Sequence, residues 1–115
     1  MVLDVFIYRM FGQFGHFYKY VGDRCTDPYP IERYATESRR LLQVLEDRLA
    51  TRTWLVGDAY SIADIAIFPW VACLGGHYKA TEILGLGEYT HVNQWLARCL
   101  ERPAVQRGMQ VCSDW

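Results

Sequence analysis

Net charge is scarce in this sequence: twelve Lys and Arg oppose thirteen Asp and Glu, leaving −1 over 115 residues. Such a chain, with no Lys/Arg-rich run, has no field to draw nucleic acid or an anionic membrane, and neither is expected as a partner. Long apolar runs are missing as well. The longest is about half of the roughly 20 residues that span a bilayer. Asp4 and Arg9 interrupt the apolar N-terminus, which argues against a signal peptide. Cys25, Cys73, Cys99 and Cys112 lie far apart with no C-x-x-C pair, so reduced thiols in a cytoplasmic protein are the simplest reading. His16, His77 and His91 show neither H-x-x-x-H nor Cys/His spacing, so no metal site is expected. A Gly-rich phosphate loop and a G-x-S-x-G elbow are both lacking, and no catalytic residue is assigned.

What the chain does have is apolar mass. Hydrophobic residues make up 51% and aromatics 15%. That excludes disorder and fits one domain with one core over residues 1–115. The stretch from Asp58 to Trp70 organises it. Ser61 is a helix N-cap candidate whose hydroxyl can accept the backbone N–H of Asp64, and the Asp64 carboxylate can reach back to the N–H of Ser61. Tyr60 and Ile65 hold the staple positions on either side. Every residue from Ile65 to Leu74 is apolar. A helix apolar all round is expected to be buried on all sides. Pro69 lies inside it, where it removes one backbone bond and crowds the Ile65 carbonyl, so a kink is expected.

Around this helix the periodicity predicts others. Phe6, Met10, Phe14 and Phe17 recur near helical spacing, giving a first helix loosened around Gly12 and Gly15. Their ordinary role is core and subunit interface; their sharper role is the wall of an apolar pocket. Val21 to Pro30 is dense in turn formers. Ile31 to Ala50 is the clearest amphipathic helix, with Ile31, Tyr34, Ala35, Ser38, Leu41, Leu42, Leu45 and Leu49 on one face. The other face carries Glu32, Arg33, Glu37, Arg39, Arg40, Glu46 and Asp47, a solvated set in which Arg33 and Glu37 can pair. Trp54 and Leu55 dock the connector that follows. Gly75-Gly76 ends the central helix, and a short helix closes at Gly85. Thr90 is a cap candidate for a helix through Glu101, and Pro103 opens a last short one. No strand and no repeat is legible. The expected fold is all-α, a helical bundle of five to six helices.

The motif Tyr60-Ser61-Ile62-Ala63-Asp64-Ile65 resembles the capped central helix of the glutathione S-transferase C-terminal domain. Phe14 to Tyr20, Ile31-Glu32-Arg33-Tyr34 with Arg39 to Leu45, and Tyr89 to Val92 with Trp95 and Glu101 to Gly108 are similar to the same domain in the bacterial nu class, relatives of the yeast prion protein Ure2. The similarity covers roughly Gly12 to Val111. It implies an apolar co-substrate pocket and a subunit interface belonging to a glutathione-dependent transferase or disulfide reductase, with glutathione as co-substrate. Family enzymes begin with a thioredoxin-like domain that stabilises the glutathione thiolate. These residues hold none of it, so catalysis by the chain alone is not expected and a thioredoxin-fold partner in trans is an expected partner. The resemblance places a glutathione-binding guanidinium at Arg33. A family glutamine on the first helix corresponds to Asp4, an anion where an anionic ligand sits. Phe14, Phe17, Phe68 and Trp70 are the candidate substrate pocket. A face left uncovered by the missing domain implies a homodimer or higher oligomer. The alternative is a stand-alone module, derived from a truncated transferase, that binds a small ligand or a protein.

Overall fold

A computed structural model describes residues 2–21 and 23–111. Six α-helices account for most of them: α1 (Val2–Gly15), α2 (Tyr29–Leu49), α3 (Ile62–Gly76), α4 (Thr81–Leu84), α5 (Thr90–Leu100) and α6 (Pro103–Gln110). A π-helical turn, His16–Tyr20, extends α1, and a 3₁₀ turn, Leu86–Glu88, precedes α5. No strand occurs among the described residues, so the all-α expectation holds. Cys25, Cys73 and Cys99 are unpaired thiols. Cys112 and the Asp4 side chain lie outside the described residues.

The long helix forms as its pattern predicts. Pro30 sits in the first turn of α2, where its missing N–H costs nothing, and Ala35, Ser38, Leu41, Leu42, Leu45 and Leu49 are buried in one stripe. Ile31 and Tyr34 are only half-buried. The charged face differs from expectation. Glu37 pairs with Arg40 rather than Arg33, through contacts of 2.6 and 3.1 Å. Hydrogen bonds from Arg40, set against an upward push from burial, hold the Glu37 carboxyl below its ordinary pKa; the charge of Arg40 adds to this and that of Arg33 contributes last.

Helix α1 passes through Gly12 unbroken and changes only after Gly15. Its buried face is Ile7, Phe11 and Phe14, while Phe6 is exposed and Met10 half-buried. The widening at His16–Tyr20 shifts the phase, so Phe17 falls at the margin of the core. Gly15 lies against the Tyr78 ring: a Cβ there would stand 2.0 Å from Tyr78 Cζ.

Asp64 anchors the centre. It is 0% exposed. Its Oδ2 accepts from Ser61 N at 3.0 Å, and its Oδ1 accepts from Leu55 N at 3.1 Å and from Trp95 Nε1 at 2.8 Å. The capping box is closed, and Ser61 Oγ also accepts from Ala63 N at 3.3 Å. One carboxylate therefore ties the connector, the start of α3 and the middle of α5.

Two expectations about helix ends and faces fail. Helix α3 is not buried on all sides: Ile62 is 84% exposed, Ile65 is 49% exposed, and Ala66 and Pro69 are also at the surface. The helix runs through Pro69 to Gly76. Thr90 does not cap α5. Glu46, placed by periodicity on the solvated face of α2, does so from outside: Oε1 accepts from His91 N at 3.0 Å and Oε2 from Val92 N at 2.9 Å, with His91 Nδ1 at 2.8 Å. Burial pushes the Glu46 pKa up, but these hydrogen bonds outweigh it and the net shift is downward. A carboxyl depressed in the folded state stabilises it above the unfolded value of 4.5, and that contribution is lost as pH falls through the folded pKa. Glu46→Ala should cost about 1 kcal/mol near neutral pH, the size of a lost helix cap. Urea melts of both proteins should show the gap narrowing as pH drops below 4.5.

Candidate functional site

Three surface features on the α1, α2, α3 and α6 elements bear on ligand binding. The first is a cavity of about 450 Å³ between α1 and the start of α2, lined by Met10, Tyr29, Arg33 and Tyr34 and by the carboxylates Glu32 and Glu37. Arg33 is exposed there, on the first turns of α2. The close contacts of Glu37 are with Arg40, and Arg33 acts on it only through its charge, as the last contribution. A cation beside Tyr29, Tyr34 and a thioether suits a ligand with a carboxylate and a peptide backbone.

The second feature is a cavity of about 410 Å³ between α3 and α6, lined by Tyr60, Ile65, Phe68, Val105 and Met109. Arg102 closes one side, its guanidinium carbon 4.0 Å from the centroid of the Tyr60 ring. Tyr60 packs edge-on against Trp54, ring centroids 5.4 Å apart. The staple pair Tyr60 and Ile65 thus shares the wall of an open apolar cavity.

The third is an aromatic cluster where α1 meets the end of α3. Phe14 stacks on Tyr18 at 5.1 Å, and Phe17 stacks on Tyr34 at 5.6 Å. Tyr20 hydrogen-bonds the His77 ring, and Lys19 donates to the His77 carbonyl. Burial pushes the Cys73 thiol up, against the pull of a hydrogen bond with Tyr78 and the charge of Lys19. Burial likewise raises Tyr78 to about 12, and Cys99 to about 12 with a further push from Asp64. Cys73 and Cys99 are therefore held as thiols, the unreactive form.

The four pocket candidates do not converge on one cavity. Phe14 is fully buried in the core. Phe17 leans on Tyr34, which lines the Arg33 cavity. Phe68 lines the α3–α6 cavity. Trp70 is half-buried against Tyr8 of α1, ring centroids 5.2 Å apart. Ser61 and Asp64 meet as the cap requires. The sequence stripe included Met10 as a possible pocket wall but did not join it to Arg33; Tyr29 beside Arg33, and Tyr60, Val105 and Met109 beside Phe68, were not singled out as pocket residues, and Met10, Val105 and Met109 lie far in sequence from the residues they meet. Among the described residues no group of His, Cys, Asp and Glu could hold a metal ion, and no helix is long and apolar enough to cross a membrane.

Known proteins share this arrangement. The family model described as the glutathione S-transferase C-terminal domain matches residues 14–103. The disulfide-bond oxidoreductase YghU of Escherichia coli K12 is 48% identical over 99 residues, which cover 84% of this chain and 34% of that protein. A glutathione transferase of Burkholderia graminis, solved with two glutathione molecules bound per subunit, superposes with a TM-score of 0.92 at 45% identity, covering 99% of this chain and 49% of that one. Ure2p in complex with glutathione superposes with a TM-score of 0.73 at 32% identity, covering 87% of this chain and 47% of that one. The chain spans between 34% and 38% of the length of the first curated relatives it matches.

Proposed function

This chain belongs to the glutathione S-transferase C-terminal domain family, and on that premise we propose that it is the helical half of a nu-class, glutathione-dependent disulfide reductase or transferase of the cytoplasm. Its part is to hold the outer end of glutathione and to wall the co-substrate site. The thiolate is activated by a thioredoxin-fold domain, on the same polypeptide or in trans. The observation that carries this reading is the cavity in which exposed Arg33 stands with Met10, Tyr29 and Tyr34, in a fold whose relatives include a disulfide-bond oxidoreductase and a glutathione-bound transferase. A guanidinium forked onto a glutathione carboxylate is a charge-assisted pair. In isothermal titration calorimetry with reduced glutathione, the wild-type chain should bind and Arg33→Ala should weaken binding at least about tenfold, the loss of one such pair. Equal binding by both proteins would remove Arg33 from the site.

The exposed apolar face of Ile62, Ile65 and Pro69 on α3, with Met109 of α6, supports self-association as a homodimer or higher oligomer when no second domain covers it. Light scattering at tens of micromolar decides this, a monomer counting against it. The α3–α6 cavity around Phe68 favours a second reading, a stand-alone module for a small apolar ligand. That reading requires saturable binding of an apolar probe, lost in Phe68→Ala, without any affinity for glutathione.

A further inference from the structure

At the far end of α2 lies a polar cavity of about 320 Å³ that the proposed function does not use. Its polar lining is Thr51, Arg52, Thr53, His91, Gln94 and Arg98. It stands about 24 Å from Arg33 along the axis of α2, by helical rise. Two arginines, a histidine, a glutamine and two threonines thus line one cavity.

Arg98 is placed with care. Its Nη2 donates to the Thr53 carbonyl at 2.8 Å, and its guanidinium carbon stands 5.8 Å from the centroid of the Trp54 ring. The carbonyl and the ring fix the plane of the fork. Its Nε is buried and has no hydrogen-bond partner among the described residues. A buried N–H without an acceptor is costly, and more so on a cation. The His91 ring is oriented as well. Its Nδ1 meets Glu46 Oε1 at 2.8 Å, and since a carboxylate only accepts, Nδ1 is the protonated nitrogen. Two features oppose an anion here, the Glu46 carboxylate and the carbonyl end of α2. Glu46 accepts from His91 N, Val92 N and His91 Nδ1, and Ala50 N and Arg52 N donate to α2 carbonyls, but these bonds leave the charge and the dipole in place, so the two guanidinium groups must outweigh them. Asp47, the neighbouring carboxylate, is held by Gln43.

We propose that this cavity binds a tetrahedral oxyanion, the phosphate or sulfate group of a small molecule. Arginine forks match such oxygens in pairs, which a lysine cannot do, and the threonine hydroxyls and Gln94 complete a set of neutral donors. The volume is at the low end for small-molecule sites, so the occupant is a compact ester or the free anion rather than a nucleotide chain. The site is separate from that of glutathione, whose charged groups are carboxylates and an amine.

The test is a titration of the ¹⁵N-labelled chain with inorganic phosphate, sulfate and phenyl phosphate, against chloride at matched ionic strength, reading the Nε–H resonance of Arg98. A saturable shift with the oxyanions and not with chloride is expected. Arg52→Gln and Arg98→Lys should each weaken binding about tenfold or more, read for the latter on the Thr53 and Gln94 amides. Tighter binding of phenyl phosphate than of inorganic phosphate identifies an ester as the occupant, and equal binding identifies the free anion; both support the site. An equal response to chloride, or unchanged midpoints in Arg52→Gln, overturns it. Arg52 is exposed, so that variant stays informative even if Arg98→Lys disturbs folding. Reduced glutathione should leave the Arg98 resonance unmoved, which keeps this result independent of the Arg33 site.

Discussion

Replacing Asp64 with alanine should bring the protein close to unfolding. Three buried or half-buried donors, Leu55 N, Ser61 N and Trp95 Nε1, converge on this one carboxylate. Each donor left without an acceptor costs about 1–3 kcal/mol, so the sum is on the order of 4 kcal/mol or more. A domain of this size is stable by only about 5–15 kcal/mol. The melting temperature should fall by roughly 15 °C or more. Asp64→Asn should lose less but still destabilise, because its NH₂ must face one of those donors. Trp95→Phe removes a single donor and should cost about 1–2 kcal/mol. In the double variant Asp64→Ala/Trp95→Phe the two costs should fall short of additive, since the orphaned indole N–H is gone. A melting temperature unchanged within error in Asp64→Ala contradicts the role given to this residue.

The second large effect lies at Gly15. An added methyl would stand 2.0 Å from Tyr78 Cζ and 2.4 Å from its Cε2 and hydroxyl. The tyrosine cannot simply swing away. Its ring meets Phe14 and Tyr20, with centroids at 6.5 and 6.3 Å, and lies beside His77, with centroids 5.5 Å apart. Gly15→Ala should therefore destabilise by about 1–3 kcal/mol, the usual cost of overpacking, although alanine is the better helix former. Tyr78→Ala opens the space. In that background Gly15→Ala should be neutral or slightly stabilising. A Gly15→Ala cost that persists undiminished without the Tyr78 ring would assign it to the backbone of the π-helical turn rather than to the clash.

Asp64 and Glu46 are not equally legible in the sequence. Asp64 stands out in the sequence because a cap is local: donor and acceptor lie within three residues of each other. Its bond to Trp95 spans 31 positions and left no local mark. Glu46 is the reverse case. Periodicity put it among solvated charges, yet it caps α5 from 45 positions away, and nothing near it in sequence signals this. The apolar run from Ile65 to Leu74 predicts a helix, which forms, and burial throughout, which Ile65 and Pro69 do not show. Apolar character says that a face avoids water, not whether the cover comes from its own core or from another surface, so Ile65 and Pro69 could not be told apart from Ile67 and Leu74. The α1 stripe is out of phase from its start: Phe6 and Met10 lie one position before the buried Ile7 and Phe11, and beyond Gly15 the wider turn leaves Phe17 at the margin of the core. Of the candidate site, Arg33 is singled out by resemblance alone. The residues that turn its surroundings into a cavity come from α1 and the first turn of α2, an assembly that only the fold produces.

The central claim is that these residues form the ligand-holding half of a glutathione-dependent reductase and leave thiolate activation to a second domain. The most direct measurement is glutathione-dependent reduction of a small disulfide, assayed with the chain alone and with the chain fused behind the first half of the Escherichia coli relative YghU. The account predicts turnover by the fusion, reduced at least about tenfold by Arg33→Ala, and background rates for the chain alone. Turnover by the chain alone, matching that of the fusion, would contradict it.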